Sequence, residues 1–253
     1  MPAPAERIWD KAKAEAIAEA CRGGTGTVAE EAKPSTQAPP LLFDLTSLQR
    51  EGNGRFGFSA KTTLSIAQAL YEKHKVLTYP RTDSRALPED YVSVAKKTVD
   101  ALAGQRSYAP FAKQIAKGGW IRPNKRIFDN AKISDHFAII PTLEAPRSLT
   151  EAEQKIYDLV VRRFLAIFFP SAEYLVTTRI TTVESHQFKT EGKVLVEPGW
   201  LAVYGKEAMQ EQGALVRVDA GERVAAKAID AAGLQTRPPA RYTEATLLSA
   251  MEG

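Results

Sequence analysis

The sequence predicts a mixed α and β protein in which a mostly helical block is inserted into a β-rich unit. Three observations lead to this. Apolar residues recur at helical spacing from Phe43 to about Phe169. A β-branched, alternating run begins after Pro170. The chain opens on a helix and strand without obvious partners, and it closes on a helix that is soon cut off. The simplest arrangement folds residues 1–40 onto residues 170–236 as one β-rich domain, with a helical domain over 41–169 between them. Residues 237–253 then read as the start of a further segment that is soon cut off.

In chain order, Ile8, Trp9, Ala12, Ala16, Ile17 and Ala20 keep helical spacing, and Gly23-Gly24 stops the run. Residues 25–40 read as a short strand and a linker ending in Pro39-Pro40. Leu45, Leu48 and Gln49 begin the helical block. Ser59 is a good N-cap for a helix carrying Leu64, Ile66, Ala67, Leu70 and Tyr71. Further helices fall near 88–103, 109–117 and 150–168, the last opened by a Thr150/Glu153 capping box. Tyr174 to Val183 reads as a strand. Short strands are expected near 186–190, 193–197, 200–204, 214–218 and 222–229, with turns at Gly192, Pro198-Gly199 and Gly221. After Arg237-Pro238-Pro239-Ala240, a last helix starts at Thr243.

Composition bounds the function. At 253 residues and 44% hydrophobic, the chain can bury a sizeable core. The single cysteine, Cys21, excludes an internal disulfide and a multi-cysteine zinc site. No apolar run reaches the length of a membrane span, and Met1-Pro2-Ala3-Pro4-Ala5-Glu6 is not a signal peptide. A soluble, cytoplasmic protein without a membrane partner is expected. The net charge is +4, but residues 50–85 carry seven Lys/Arg against three Asp/Glu, and residues 113–132 carry six against one. Such clustering suits a polyanion, and it suits solvated helix faces equally well.

Leu77-Thr78-Tyr79-Pro80-Arg81-Thr82-Asp83-Ser84 is the chemically richest stretch. Pro80 favours an extended conformation at Tyr79, and in an extended stretch Tyr79 and Arg81 share a face. A phenol can attack phosphorus while a guanidinium grips the phosphate. The same composition also makes an ordinary turn. A second cluster, Ile133-Ser134-Asp135-His136-Phe137-Ala138-Ile139-Ile140-Pro141-Thr142, offers His136 as a phosphate contact or proton shuttle, or as a packed strand-end histidine. His74 and His186 read as structural. There is no Asp-x-Asp pair, no phosphate-binding Gly-x-x-x-x-Gly-Lys-Ser/Thr loop and no nucleophile elbow.

Taken together, these segments resemble the type IA DNA topoisomerases, and among them the topoisomerase III branch. The resemblance runs in order through Pro39 to Glu51, Gly57-Phe58-Ser59-Ala60-Lys61 with Ala67 to Glu72, Leu77 to Ser84, His136 with Ala138 to Thr142, and Pro238 to Ala245. Pro80 and Ile140 stand where the topoisomerase I branch more often has Met and Arg. Asp135 and Phe137 depart from the family's usual neighbours of the histidine.

The resemblance implies a winged-helix-like (CAP-like) tyrosine domain inserted in a β-rich hinge domain. It implies an ATP-independent, Mg²⁺-dependent enzyme that cuts and reseals one DNA strand through a 5′-phosphotyrosine. By the same carry-over, Tyr79 is the nucleophile, Arg81 steadies the phosphate, His136 assists, and Thr82 and Asp83 support the loop. Arg50, Arg55 and Lys61 are candidate DNA contacts. The metal would be held by a domain preceding Met1, so this chain holds no metal and is incomplete alone. The expected partner is single-stranded DNA, the expected state a monomer, and the expected setting a bacterial nucleoid or plasmid. The competing reading is a non-enzymatic module that binds single-stranded nucleic acid. A tyrosine recombinase is disfavoured, because its tyrosine lies near the chain end after an Arg/His constellation missing here.

Overall fold

A computed structural model describes residues 7–209, 213–219 and 221–251. Met1 to Glu6, read above as no leader, lie outside the described residues, as do Glu252 and Gly253 of the expected last segment. The chain is mixed α and β and divides into two compact units.

The first unit gathers the residues up to Thr36, Glu173–Glu197 and the described part of 210–239. Helix α1 (Lys11–Cys21) begins where Asp10 accepts the amide of Lys13 at 3.2 Å, so Ile8 and Trp9, expected inside it, precede it and stand exposed. It buries Ala18 and Cys21, and the Cys21 thiol reaches the carbonyl of Val183 at 3.6 Å. Strands β1 (Thr25–Gln37), β2 (Ala172–Val183), β3 (His186–Glu197) and β4 (Arg223–Ala225) form one sheet in the order β3-β2-β1-β4. β2 and β3 pair antiparallel around Glu184-Ser185, where Glu184 takes φ 51°. Positive φ at a tight hairpin turn matches the twist of the strands it joins.

Several expected strands are corrected here. Residues 186–190 and 193–197 are one continuous strand, because Gly192 pairs with Thr177 inside it and makes no turn. A Cβ on Gly192 would lie 2.7 Å from Leu215 and 3.0 Å from the carbonyl oxygen of Gly213. The glycine marks a close approach of chain, the second common meaning of glycine in a strand. Residues 214–218 form no ladder, and the strand near 222–229 shrinks to the three residues of β4.

The second unit holds Gln37–Ala172, Pro198–Met209 and residues 240–251. Its helices are α2 (Leu45–Phe56), α3 (Ala60–Glu72), α4 (Val92–Leu102), α5 (Ala109–Gly118), α6 (Glu151–Ala166) and α7 (Glu244–Met251). The expected strand at 200–204 is a 3₁₀ helix, Gly199–Tyr204. It buries Leu201 and Val203, and the Trp200 indole donates to Gln37 at 2.9 Å. Side chains cap the starts of three of these helices, at α3 and α6 where the sequence predicts it. Asp44 caps α2, Ser59 caps α3, and Thr150 with Glu153 closes a reciprocal capping box on α6.

Helix α6 is the centre of this unit. Ile156, Tyr157, Val160, Val161, Phe164 and Leu165 are all buried along it. Such side chains each contribute about 1.5–3 kcal/mol by leaving water. Buried Arg163 on the same helix donates to Glu51 at 2.6 Å, to the carbonyl of Leu41 at 3.0 Å and to the Tyr204 hydroxyl at 3.1 Å. Its guanidinium lies 4.0 Å from the ring centre of Phe43. A buried charge with this many partners ties three segments together, whereas an unpaired one would be costly. Helices α2 and α3 touch at Gly52, where a Cβ would stand 2.8 Å from the hydroxyl of Thr63. Helix α7 leans on α2, with the Ala245 amide donating to Asn53 at 3.2 Å.

Candidate active site

The tyrosine segment is laid onto the histidine segment by short bridges in the second unit. Phe43 pairs with Ile139, and Leu77 pairs with Pro141. The amide of Thr78 donates to the carbonyl of Ile140 at 3.0 Å, and the amide of Thr142 donates to Val76 at 3.0 Å. From there on, side chains alternate. Thr82 and Ser84 are buried while Arg81 and Asp83 are exposed, and half-buried Tyr79 precedes a bend at Pro80.

The inward side chains hold the loop. Thr78 Oγ1 donates to Ala138 at 3.0 Å and accepts the amide of Ile140 at 2.9 Å. Thr82 Oγ1 donates to the carbonyl of His136 at 2.8 Å and accepts the Ser84 amide at 3.0 Å. Ser84 Oγ donates to the carbonyl of Lys132 at 2.8 Å. Asp83, from the outer row, accepts the Ser134 hydroxyl at 3.0 Å.

Tyr79 lies between two rings. Its centroid is 4.3 Å from that of His136 and 5.4 Å from that of Tyr71, the latter edge-on. Beside it opens a depression of about 400 Å³, walled by Tyr71, Lys75, Tyr79, Phe137 and Thr142. Lys75 takes φ 60°, a left-handed conformation that a side chain adopts at some cost. Thr142 Oγ1 holds that turn by donating to the Lys75 carbonyl at 2.7 Å. Arg81 is exposed and makes no hydrogen bond or ion pair among the described residues. A half-buried phenol, an imidazole in ring contact and an uncommitted guanidinium on the outer row can together receive a phosphodiester.

The residues singled out from sequence divide into two groups. Tyr79, Thr82, Asp83 and His136 come together, with Arg81 exposed just beyond the bend at Pro80. Arg50 and Arg55 line a separate cavity of about 390 Å³ beside α2. Lys61 stands exposed in the first turn of α3. Sequence reasoning missed Tyr71 and Lys75 as neighbours of the tyrosine. The signal was present in the Tyr71-to-Tyr79 spacing, but only the turn at Lys75 brings the end of α3 back to the loop.

No group of three or more His, Cys, Asp or Glu side chains among the described residues is arranged to hold a metal ion. No helix among them is long and apolar enough to cross a membrane.

Comparison with known proteins gives one consistent result. The family model described as DNA topoisomerase matches residues 3–253. DNA topoisomerase 3 of Bacillus cereus is 43% identical over 257 aligned residues, which cover 97% of this chain and 35% of that protein. Its counterpart in Bacillus subtilis is 43% identical over 240 residues, covering 91% and 33%. The chain therefore spans about a third of the length of the curated relatives it matches. The full-length topoisomerase I of Thermotoga maritima superimposes with a TM-score of 0.70 over 99% of this chain and 40% of that one, at 23% identity. That last likeness concerns the fold.

Proposed function

The chain belongs to the type IA DNA topoisomerase family, and on that premise we propose that it supplies the tyrosine half of a strand-cutting site, with Tyr79 as the attacking group. The observation that favours this is the placement of Tyr79 between His136 and Tyr71 on a loop whose inward hydroxyls are all engaged with backbone. In the reaction the Tyr79 oxygen bonds to phosphorus and the P–O3′ bond breaks. The phenol gives up its proton, and the leaving 3′ oxygen takes one. The phosphotyrosine keeps the energy of the broken bond, so resealing needs no nucleotide. Arg81 faces the phosphate as a fixed charge, and His136 orients the phenol or takes its proton.

Mg²⁺ fits this chain poorly as a resident ion. Asp83 is the carboxylate on the tyrosine loop, and it already accepts from Ser134. We therefore assign the metal to residues outside this chain and derive no step through it. The winged-helix-like tyrosine domain, the hinge role of the β-rich unit, the single-stranded substrate, the monomeric state and a cytoplasmic, DNA-associated location belong to the same proposal.

The test supplies this chain with the remaining portion of a DNA topoisomerase 3 relative, Mg²⁺ and a labelled single-stranded oligonucleotide, then denatures the mixture. A covalent adduct that vanishes in Tyr79→Phe is expected. Oligonucleotide binding that Tyr79→Phe leaves untouched, with no adduct under any condition, would leave the non-enzymatic binding module as the correct reading.

A further inference from the structure

We propose that the arginine-lined cavity beside α2 is a second phosphate site, which holds a backbone phosphodiester of the same single strand that Tyr79 attacks. The identity of that strand rests on the function proposed above; the cavity's affinity for phosphate rests on its own walls. Four guanidinium groups, from Arg50, Arg55, Arg85 and Arg163, line a space of about 390 Å³, against the single carboxylate of Glu51. Helix α7 walls another side through Thr246 and Ser249.

Glu51 is already committed. It accepts from Arg163 at 2.6 Å and from Arg55 at 2.7 Å, so one negative charge serves two arginines. Arg85 is loosely paired. Its Nε is buried and makes no hydrogen bond, although Asp44 Oδ2 lies 3.5 Å away. Asp44 cannot turn fully to it, because its other oxygen caps α2 by accepting the Ser47 amide at 2.7 Å as well as the Ser47 hydroxyl. A buried guanidinium N–H without an acceptor costs free energy that an anion would recover. Guanidinium forks match the paired oxygens of a phosphate.

The cavity also lies where a strand running past Tyr79 can reach it. Arg85 follows Tyr79 by six residues, at most about 21 Å of extended chain. That distance is about six nucleotides at the rise of a stacked strand.

The experiment measures the anisotropy of a labelled single-stranded oligothymidylate against this chain over a range of salt concentrations, with inorganic phosphate as a second ligand. Arg85→Ala should weaken oligonucleotide binding several-fold and flatten the log-log salt slope by about 0.7, the share of one phosphate on a single strand. Arg85→Lys should keep most of the slope while losing affinity, since it retains the charge and loses the fork. It also serves as the deciding variant if Arg85→Ala lowers the melting temperature. Affinity and slope equal to the parent in both variants would overturn the proposal. So would phosphate binding that depends on Arg85 while oligonucleotide binding ignores it, because the cavity would then take the free ion only. Neither result touches the adduct assay at Tyr79, so the two readings fail separately.

Discussion

The hydroxyl of Thr82 donates to the backbone carbonyl of His136 at 2.8 Å, so the segment that carries the tyrosine is fastened to the segment that carries the histidine through a side chain that does no chemistry itself. The same oxygen accepts the amide of Ser84 at 3.0 Å.

Thr82→Val keeps the shape and deletes both bonds, leaving the buried Ser84 amide and the His136 carbonyl without these partners. The buried amide alone costs about 1–3 kcal/mol when orphaned. Urea unfolding should show a lower midpoint with an unchanged slope. Adduct yield in the reassembled enzyme should also fall, because the Tyr79 and His136 rings lose their common anchor.

Tyr71→Leu removes the ring that meets Tyr79 edge-on at 5.4 Å. Such aromatic pairs contribute about 0.5–1.5 kcal/mol beyond their buried area. The expected result is a small loss of stability and a clear loss of single-turnover cleavage rate, with oligonucleotide affinity nearly unchanged. An unchanged cleavage rate would show that Tyr71 does not position the nucleophile.

Glu153 is buried, and hydrogen bonds from the Thr150 amide and hydroxyl, with His74 Nε2 at 3.1 Å, hold its carboxyl below the usual carboxylate range. A depressed carboxyl adds stability that is fully present above the unfolded value near 4.5 and is lost as pH falls through the lower folded value. Thermal melting should therefore drop below about pH 4.5 more steeply in the parent than in Glu153→Gln. At neutral pH the glutamine variant should be less stable by about 1 kcal/mol, the usual worth of a helix cap.

Gly52→Ala would ordinarily strengthen a helix by about 1 kcal/mol. Here the new Cβ would sit 2.8 Å from Thr63 Oγ1 and 3.3 Å from Thr63 Cγ2, and Thr63 is fully buried. The melting temperature should fall. Thr63→Val should be neutral or stabilising, because Thr63 Oγ1 is buried without a hydrogen-bond partner. Calorimetry on the two variants reads both signs.

Features governed by neighbours in the chain were legible in the sequence. Ser59 and Thr150 announced their helices because a cap acts within three residues. Features that depend on distant partners were not legible. Gly192 looked like a turn because glycine favours both turns and close approaches, and only the chain at Gly213 and Leu215 decides between them. The 200–204 segment alternates like a strand, yet Leu201 and Val203 are drawn into the second unit as a 3₁₀ helix. The arginine cavity draws its walls from α2, α6, α7 and the end of the tyrosine loop, so no local pattern could announce it.

The tyrosine loop has a consequence for how this protein can change. Its buried hydroxyls bind backbone, and backbone is present whatever residues the facing segment carries. Exposed Arg81 has no bond among the described residues that keeps the loop in place, whereas Asp83 does, through the Ser134 hydroxyl. Substitution at Arg81 should therefore act almost wholly on rate, and substitution at Thr82 or Ser84 largely on folding.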